Sequence, residues 1–226
     1  MDAAPDGSHG PHVLVADVEH PALSEDDRHH LERVLRIRTG DPITVGDGAG
    51  AWMPCTHAAT PEPVGAIRRV PPPATELTVG FALIKGGRPE LVVQKLTELG
   101  VDRIVPFTAG RSVVRWDVPK AAKNAERLRR VAREAVMQSR RAWVPVVEEI
   151  ATFADLAGRP GAAMADRDGV PLTLDTPLVL VGPEGGWDDA EAATALPRVR
   201  LAGPVLRAET AAIAAGALLV AARDLR

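Results

Sequence analysis

The sequence predicts an α/β protein in which a small β-rich domain, residues 1–72, precedes a larger domain, residues 75–226, built on a mostly parallel sheet with helices on both faces. Three observations support this fold class. Short apolar runs between closely spaced glycine turns fill the first part of the chain, three consecutive prolines (71–73) interrupt it, and strand-like runs then alternate with helical patterns. Such alternation is typical of a parallel sheet, because parallel strands need long crossover connections.

In the first domain, residues 13–18 predict a strand, and Ser24 with the acidic residues after it predicts the N-cap of a short helix that reaches Leu35. Glycine-containing turns then recur between residues 40 and 50, with strand-forming residues around them. Short strands joined by tight turns favour a small β-barrel. The three prolines end this domain, because proline cannot donate a ladder hydrogen bond and favours an extended connector.

In the second domain, the first strand covers residues 77–84, and Pro89 and Gly100 mark the start and the end of a helix with an apolar stripe. A long helix at 120–141 has one basic face and one packing face. The other predicted elements are a strand at 101–107, an extended segment at 144–150, a helical turn at 153–156, strands at 162–165, at 178–181 and ending near 201, and an alanine-rich helix at 209–225.

Composition excludes several functional classes. The 226 residues contain no apolar run of about 18 residues and no recognisable signal peptide, so no membrane partner is expected. The single cysteine, Cys55, excludes an internal disulfide, and a cytosolic location is the default expectation. All six histidines lie near the start of the chain without zinc-ligand spacing, so no metal is expected. Dinucleotide-binding, P-loop and nucleophile-elbow motifs are absent, and an aromatic content of 3% argues against an RRM-like stacking surface.

Charge is segregated along the chain, although the net formal charge is only −3. Residues 85–141 contain 14 Lys and Arg against 6 Asp and Glu, a net charge of +8, whereas residues 1–50 contain 4 against 10. A basic middle segment suits a surface that binds nucleic-acid phosphates. A solvated helix surface would have the same composition, and charge alone favours the two interpretations about equally.

Two strand-to-loop transitions are the best candidates for a ligand site. The apolar strand at 178–181 runs into GPEGG at 182–186, and a second strand ends in the turn Gly203-Pro204. Glycines allow a backbone to pass close to a ligand. Because open α/β sheets bind ligands at the carboxyl ends of their strands, the two loops predict one shared site. Loops of this kind suit an adenosine with an amino-acid tail, held by backbone hydrogen bonds.

With their flanking residues, the loops read VGPEGGW at 181–187 and LAGPVLRAETA at 201–211. These segments closely resemble the two C-terminal motifs of the RsmE family of SPOUT methyltransferases. Upstream, HHLERVLRIRTGD at 29–41 resembles the family's PUA-like signature, LIKGGRPELVVQKLTELGVDRIVPF at 83–107 its first methyltransferase motif, and EAVMQSRRAWVP at 134–145 its long-helix motif. The acidic opening at 2–11 departs from the basic residues with which family members usually begin.

The resemblance implies an enzyme that methylates N3 of a uridine in the 16S rRNA of the small ribosomal subunit, with S-adenosylmethionine as cofactor. It implies a PUA-like RNA-binding β-barrel for residues 1–72. For residues 75–226 it implies a SPOUT domain whose C-terminal segment is tied into a trefoil knot that forms the cofactor pocket. It further implies an obligate homodimer with that pocket near the interface, where an alanine-rich last helix could be approached closely.

The motifs also suggest residue roles. The N3 proton must leave, so Glu209 is the candidate base, and Arg207 is the candidate cation that stabilises the anion or binds a phosphate. Stabilising the helix N-terminus is the alternative role for Glu209. The expected cofactor-binding residues are Gly182, Pro183, Glu184, Gly185, Gly186, Leu201, Ala202, Gly203, Val205, Leu206, Thr210 and Ala211. The expected RNA-binding residues are Arg33, Arg36, Lys85, Lys95, Arg111, Arg127, Arg130 and Arg141.

Two other functions fit parts of the pattern. A SPOUT ribose 2′-O-methyltransferase would share the knot and the cofactor, but the upstream motifs fit it less well. A non-catalytic rRNA-binding assembly factor would use the PUA-like domain and the basic helix, but the two intact loops argue against it.

Overall fold

The structure is a computed structural model that describes residues 4–225. It divides into two compact units, the first made of Met1–Pro73 with Arg133–Val144 and the second of Ala74–Ala132 with Pro145–Arg226. The long helix Val118–Ser139 therefore contributes residues to both units. The sequence-based boundary near residue 73 did not include this return of the chain to its first unit.

The first unit contains the elements β1 (His12–Leu14), α1 (Glu25–His29), β2 (Pro42–Gly46), β3 (Ala51–Thr56), β4 (Glu62–Pro63) and β5 (Arg68–Arg69). Its strands form a five-stranded sheet in the order β1-β2-β3-β4, with β5 also paired to β3. The pairing of β1 with β2 is parallel, and the pairings of β3 with β2, β4 and β5 are antiparallel.

The short helix of the first unit begins and ends where the sequence predicted, but its hydrogen-bonding pattern changes halfway along. The Ser24 hydroxyl accepts the N–H of Asp27 at 3.1 Å, which confirms the N-cap. After α1 the chain widens into a π-helical turn, His30–Val34, where the N–H of Leu35 donates to the His30 carbonyl at 3.0 Å. Leu31 on this turn is buried in the same apolar core as Ile43 of β2. The predicted helix that reaches Leu35 is therefore confirmed in its extent, and its second half is π-helical.

Arg133 joins the returning segment to the rest of the first unit. Its guanidinium donates two hydrogen bonds to the buried Asp27 carboxylate, at 2.9 and 2.7 Å, and a third to the Leu14 carbonyl at 2.9 Å. Burial acts to raise the pKa of Asp27, but the bonds from Arg133 and from Ser24 outweigh it and hold that pKa below its usual value. This charged pair is therefore a specific attachment point for residues 133–144.

The second unit alternates strands and helices as the sequence predicted. Its elements are β6 (Thr78–Ala82), α2 (Arg88–Leu99), β7 (Arg103–Thr108), α3 (Val118–Ser139), β8 (Val146–Val147), β9 (Ala151–Thr152), α4 (Phe153–Ala157), β10 (Ala162–Pro171), β11 (Leu178–Val181), α5 (Asp189–Ala192), β12 (Arg198–Arg200) and α6 (Ala208–Asp224). The seven-stranded sheet has the order β12-β10-β11-β6-β7-β8, with β9 also paired to β7. The strand pairings in this sheet are parallel, which confirms the predicted α/β class.

Helices pack on both faces of this sheet. Val179 and Val181 of β11 belong to one core cluster with residues of α2, α3 and α6, whereas Leu178 and Leu180 belong to a second cluster with residues of α4. Successive side chains of a strand point to opposite faces, so the two clusters lie on opposite sides of the sheet. The sheet is buried between them.

Helix α6 packs closely on α2 within the second unit. A Cβ at Gly216 would lie 2.4 Å from a Leu96 methyl carbon, so no larger residue fits without a shift. Gly216 thus serves a contact inside the unit. Within the described part of the chain, every helix is too short or too polar to cross a membrane.

Candidate active site

The candidate site lies where strands β11 and β12 of the parallel sheet end, beside the middle of their neighbour β10. Strands β12, β10 and β11 are adjacent in that order, and loops 182–187 and 201–207 follow β11 and β12. A cavity of about 310 Å³ opens between these loops, the middle of β10 and the start of α6. This volume is near the lower end of the range for small-molecule pockets, roughly 300 to 1,000 Å³.

The cavity contains nine of the twelve expected cofactor-binding residues, namely Gly182, Pro183, Glu184, Gly186, Leu201, Ala202, Val205, Leu206 and Ala211. Gly185, Gly203 and Thr210 are not in its lining. Seven lining residues were not among the expected ones: Ala165, Asp166, Arg167, Val181, Trp187, Pro204 and Ala208. The contribution of β10 had no signal in the sequence, because it depends on the position of β10 between β11 and β12.

Trp187 anchors the glycine loop to the sheet. Its indole stacks on Phe107 with ring centroids 6.3 Å apart and packs at a tilt on Phe153 with centroids 5.4 Å apart. The indole N–H donates to the Ala165 carbonyl at 3.1 Å. A Cβ at Gly182 would lie 3.0 Å from the indole ring, so the loop backbone passes directly against it. These contacts hold the glycine loop next to Ala165 in β10.

The cavity wall carries charges of both signs. Asp166 and Glu184 contribute carboxylates and Arg167 contributes a guanidinium. The Asp166 carboxylate accepts the N–H of Asp168 at 3.0 Å and pairs with Arg198. The bond from Asp168 lowers the pKa of Asp166, and Arg198 adds to this effect against the opposing influence of burial. Asp166 is therefore an anionic group inside a largely apolar cavity.

Glu209, the candidate base, lies in the first turn of α6 but outside the cavity lining. Its side chain is 13% exposed, and its Oε1 is 3.6 Å from Nε of Arg88. Its other oxygen, Oε2, is buried and has no hydrogen-bond partner in residues 4–225. Arg88 also donates to Oε1 of Glu184 at 3.3 Å. The sequence did not suggest Arg88 as a site residue.

Arg207, the candidate anion stabiliser, occupies the N-cap position of α6 with an extended backbone. Its side chain makes no capping hydrogen bond, and the residue is exposed. An exposed guanidinium next to the end of the cavity loop 201–207 is available to an approaching anionic ligand.

Five of the expected RNA-binding residues lie in the second unit. Lys85 and Arg130 are exposed, Lys95 is paired with Glu98 at 2.7 Å, and Arg127 is paired with Glu90 at 3.0 Å. Arg111 donates to the carbonyl of Gly185 at 3.4 Å and to Asp189 at 3.2 Å, which links its loop to the glycine loop of the cavity.

The other three expected RNA-binding residues lie in the first unit. Arg33 and Arg36 are exposed, and Arg36 has a positive φ of 58° at the end of the π-helical region. Arg141 is half-buried and already takes part in an interaction within the chain. Across residues 4–225, no group of three or more His, Cys, Asp or Glu side chains is arranged to hold a metal ion.

Comparison with known proteins places these features in a family. A family model described as an RNA methyltransferase domain matches residues 71–220. The protein named ribosomal RNA small subunit methyltransferase E of Mycobacterium bovis is 34% identical to this chain, over 85% of this chain and 83% of the relative. The protein of the same name in Bacillus subtilis is 29% identical, over 75% of this chain and 76% of the relative.

Solved structures agree with these matches. The Neisseria gonorrhoeae ribosomal RNA small subunit methyltransferase E bound to S-adenosylmethionine has a TM-score of 0.79 at 28% identity, over 92% of this chain and 96% of that chain. A Legionella pneumophila methyltransferase in complex with the same cofactor has a TM-score of 0.81 at 25% identity, over 93% of this chain and 97% of that chain.

Proposed function

We propose that this chain methylates N3 of a uridine in 16S rRNA, with S-adenosylmethionine as the methyl donor. The chain belongs to the RNA methyltransferase family that includes the ribosomal RNA small subunit methyltransferases E. The observation that carries the proposal is the cavity formed by loops 182–187 and 201–207 at the carboxyl edge of the parallel sheet. The same two loops carry the motifs that resemble this family.

The residues of the cavity fit S-adenosylmethionine. The cofactor has an apolar adenine face, a cationic sulfonium and an amino-acid tail with both charges. Apolar side chains such as Val181, Leu201 and Leu206 would pack on the adenine, while Asp166 and Arg167 offer partners of opposite sign for the tail. Glycines 182 and 186 leave the loop backbone accessible to a ligand.

The residues beside the cavity suit the removal of the uracil N3 proton. When bound, S-adenosylmethionine supplies an electrophilic methyl group. The N3 atom must lose its proton to attack, and the Glu209 carboxylate in the first turn of α6 is the group that would accept it. The exposed Arg207 guanidinium would stabilise the negative charge that develops on the uracil, or bind a neighbouring phosphate.

The remaining features of the proposal concern architecture and partners. The first unit would act as a PUA-like barrel that binds RNA, corresponding to residues 1–72, and the C-terminal part of the domain 75–226 would form the trefoil knot of SPOUT enzymes. The enzyme would work as a homodimer in the cytoplasm, where its ribosomal substrate is found. The eight basic residues expected to bind RNA would contact the rRNA backbone, and the exposure of Arg33, Arg36, Lys85 and Arg130 supports this role.

Two measurements test the proposal. Isothermal titration calorimetry with S-adenosylmethionine should show binding, and its absence would exclude any methyltransferase and leave the assembly-factor function. Nucleoside analysis of 30S subunits and of free 16S rRNA after incubation with enzyme and cofactor should show 3-methyluridine. Detection of a ribose-methylated nucleoside instead would identify a 2′-O-methyltransferase. Comparing the two substrates shows at which stage of assembly the enzyme acts.

A further inference from the structure

Arg88 connects the cofactor loop to the candidate base. It is the first residue of α2, and its guanidinium faces two carboxylates from distant parts of the chain. Its Nη1 is 3.3 Å from Oε1 of Glu184, which lines the cavity, and its Nε is 3.6 Å from Oε1 of Glu209. One side chain therefore contacts both the glycine loop and the first turn of α6.

The two oxygens of Glu209 have different surroundings because of this contact. Oε1 faces the guanidinium, whereas Oε2 is buried without a partner among the described residues. A buried carboxylate oxygen without a donor is unfavourable, and the neighbouring cation offsets that cost. The contact with Arg88 also limits rotation of the carboxylate, so the unpartnered oxygen keeps one direction.

We propose that Arg88 is a positioning residue for the methyl-transfer reaction, which holds the Glu209 carboxylate in place at the start of α6, beside the glycine loop. The pairing with Glu184 fixes Arg88 in turn, which makes the orientation of the base dependent on the glycine loop that borders the cofactor. This inference rests on the proposed function, in which Glu209 is the base.

The chemistry of arginine explains why this residue type suits the position. A guanidinium presents several N–H groups in a planar fork and can address two carboxylates at once, whereas a lysine ammonium is a compact charge on a flexible stem. Arg88→Lys should therefore keep the positive charge near Glu209 but hold its carboxylate less firmly. Arg88→Ala removes both the charge and the restraint.

The test combines binding with single-turnover methylation of 30S subunits at saturating S-adenosylmethionine. Arg88→Ala should slow methyl transfer by roughly 10- to 100-fold, a size typical of coupling between residues in contact, and Arg88→Lys should restore part of the rate. Cofactor affinity, measured by calorimetry, should change by less than about fivefold, because the loss is in the rate and not in binding. Arg88→Ala combined with Glu209→Gln should be no slower than Glu209→Gln alone.

Arg129→Ala is the matched control. Arg129 is 46% exposed, against 42% for Arg88, and it also pairs with a carboxylate, that of Glu149 at 2.6 Å. It belongs to the same unit and contacts neither the cavity nor Glu209. Its replacement should leave the methylation rate within about twofold of the wild type, as expected for an exposed ion pair.

Different results identify different failures. If wild-type enzyme forms no 3-methyluridine, the proposed function is wrong. If the wild type is active and folded Arg88→Ala is equally fast, or if its effect multiplies with that of Glu209→Gln, the positioning role is overturned. If thermal unfolding shows that Arg88→Ala does not fold, the wild type is compared with Arg88→Lys instead. A wild-type methylation rate for Arg88→Lys would overturn the positioning role of the guanidinium.

Discussion

Replacing Trp187 should weaken cofactor binding because this side chain orders the glycine loop. The indole contacts Phe107 and Phe153 and donates a hydrogen bond to the Ala165 carbonyl at 3.1 Å. In Trp187→Phe the aromatic packing is largely kept and the hydrogen bond is lost. In Trp187→Ala both are lost, and residues 182–186 no longer rest on an aromatic ring.

The sizes of the two effects follow from these contacts. A lost hydrogen bond costs about 0.5–1.5 kcal/mol, so Trp187→Phe should lower the free energy of unfolding by about 1 kcal/mol. Truncation of a buried aromatic residue to alanine costs about 3–5 kcal/mol, and two aromatic pairs are lost here. Since Trp187 is half-buried, we expect a value near the lower end, about 3 kcal/mol.

Urea unfolding and calorimetry with S-adenosylmethionine measure the two consequences separately. If ordering the loop costs about 1.4 kcal/mol on binding, affinity falls tenfold, and we expect at least this loss for Trp187→Ala. Trp143 is the matched control, because its indole N–H also donates to a carbonyl, that of Val70 at 3.1 Å. This contact lies in the first unit, whereas the residues that line the cavity belong to the second. Trp143→Ala should destabilise the protein without affecting cofactor affinity. Cofactor binding by folded Trp187→Ala within about twofold of the wild type would refute the reasoning, since 1.4 kcal/mol is tenfold in affinity.

Three further outcomes are expected. Arg207→Ala and Glu209→Ala should each reduce turnover and leave S-adenosylmethionine affinity within about threefold of the wild type. Loss of the general base in Glu209→Ala should reduce turnover by about 10²–10⁴. Calorimetry and single-turnover assays measure the two effects, and lost binding with unchanged turnover would contradict both roles. Asp27→Asn should lower the free energy of unfolding by roughly 1–3 kcal/mol, less than for a fully buried pair because Arg133 is 38% exposed. The pKa of Asp27 is lower in the folded state than in the unfolded state, where it is near 4. Its contribution to the free energy of unfolding is therefore fully present above the unfolded-state pKa and is lost as the pH falls through the folded-state pKa. The denaturation curves of the variant and the wild type should converge in acid. Burial raises the pKa of Cys55 to about 11, so the folded protein should react with a thiol reagent at pH 8 only after unfolding, and rapid modification of the native protein would contradict this burial.

The parts of the fold that were predictable depend on local sequence. The strand Leu178–Val181 is a short apolar run that ends at a glycine, and helix α2 is bounded by Pro89 and Gly100, so both elements were found near their observed limits. Strand β10 was predicted at 162–165 and extends to Pro171, because an irregular register lets it continue beside β12 through polar residues. An apolar pattern does not mark such an extension.

The parts of the site that were missed depend on contacts between distant segments. Asp166 and Arg167 reach the cavity only because β10 lies between β11 and β12, an order that differs from the order along the chain. Arg88 meets Glu209 because α2 and α6 pack on the same face of the sheet. In the sequence alone, each of these residues cannot be distinguished from an ordinary charged surface residue.

The return of residues 133–144 to the first unit determines when that unit can be completed during synthesis. All five strands of its sheet lie before residue 73, yet the guanidinium that pairs with the buried Asp27 belongs to Arg133. A nascent chain that has emerged only to Pro73 lacks both the guanidinium that pairs with Asp27 and the segment 133–144 that belongs to the same unit. The amino-terminal unit therefore gains its full set of contacts only after the ribosome has translated past residue 144, well into the second unit.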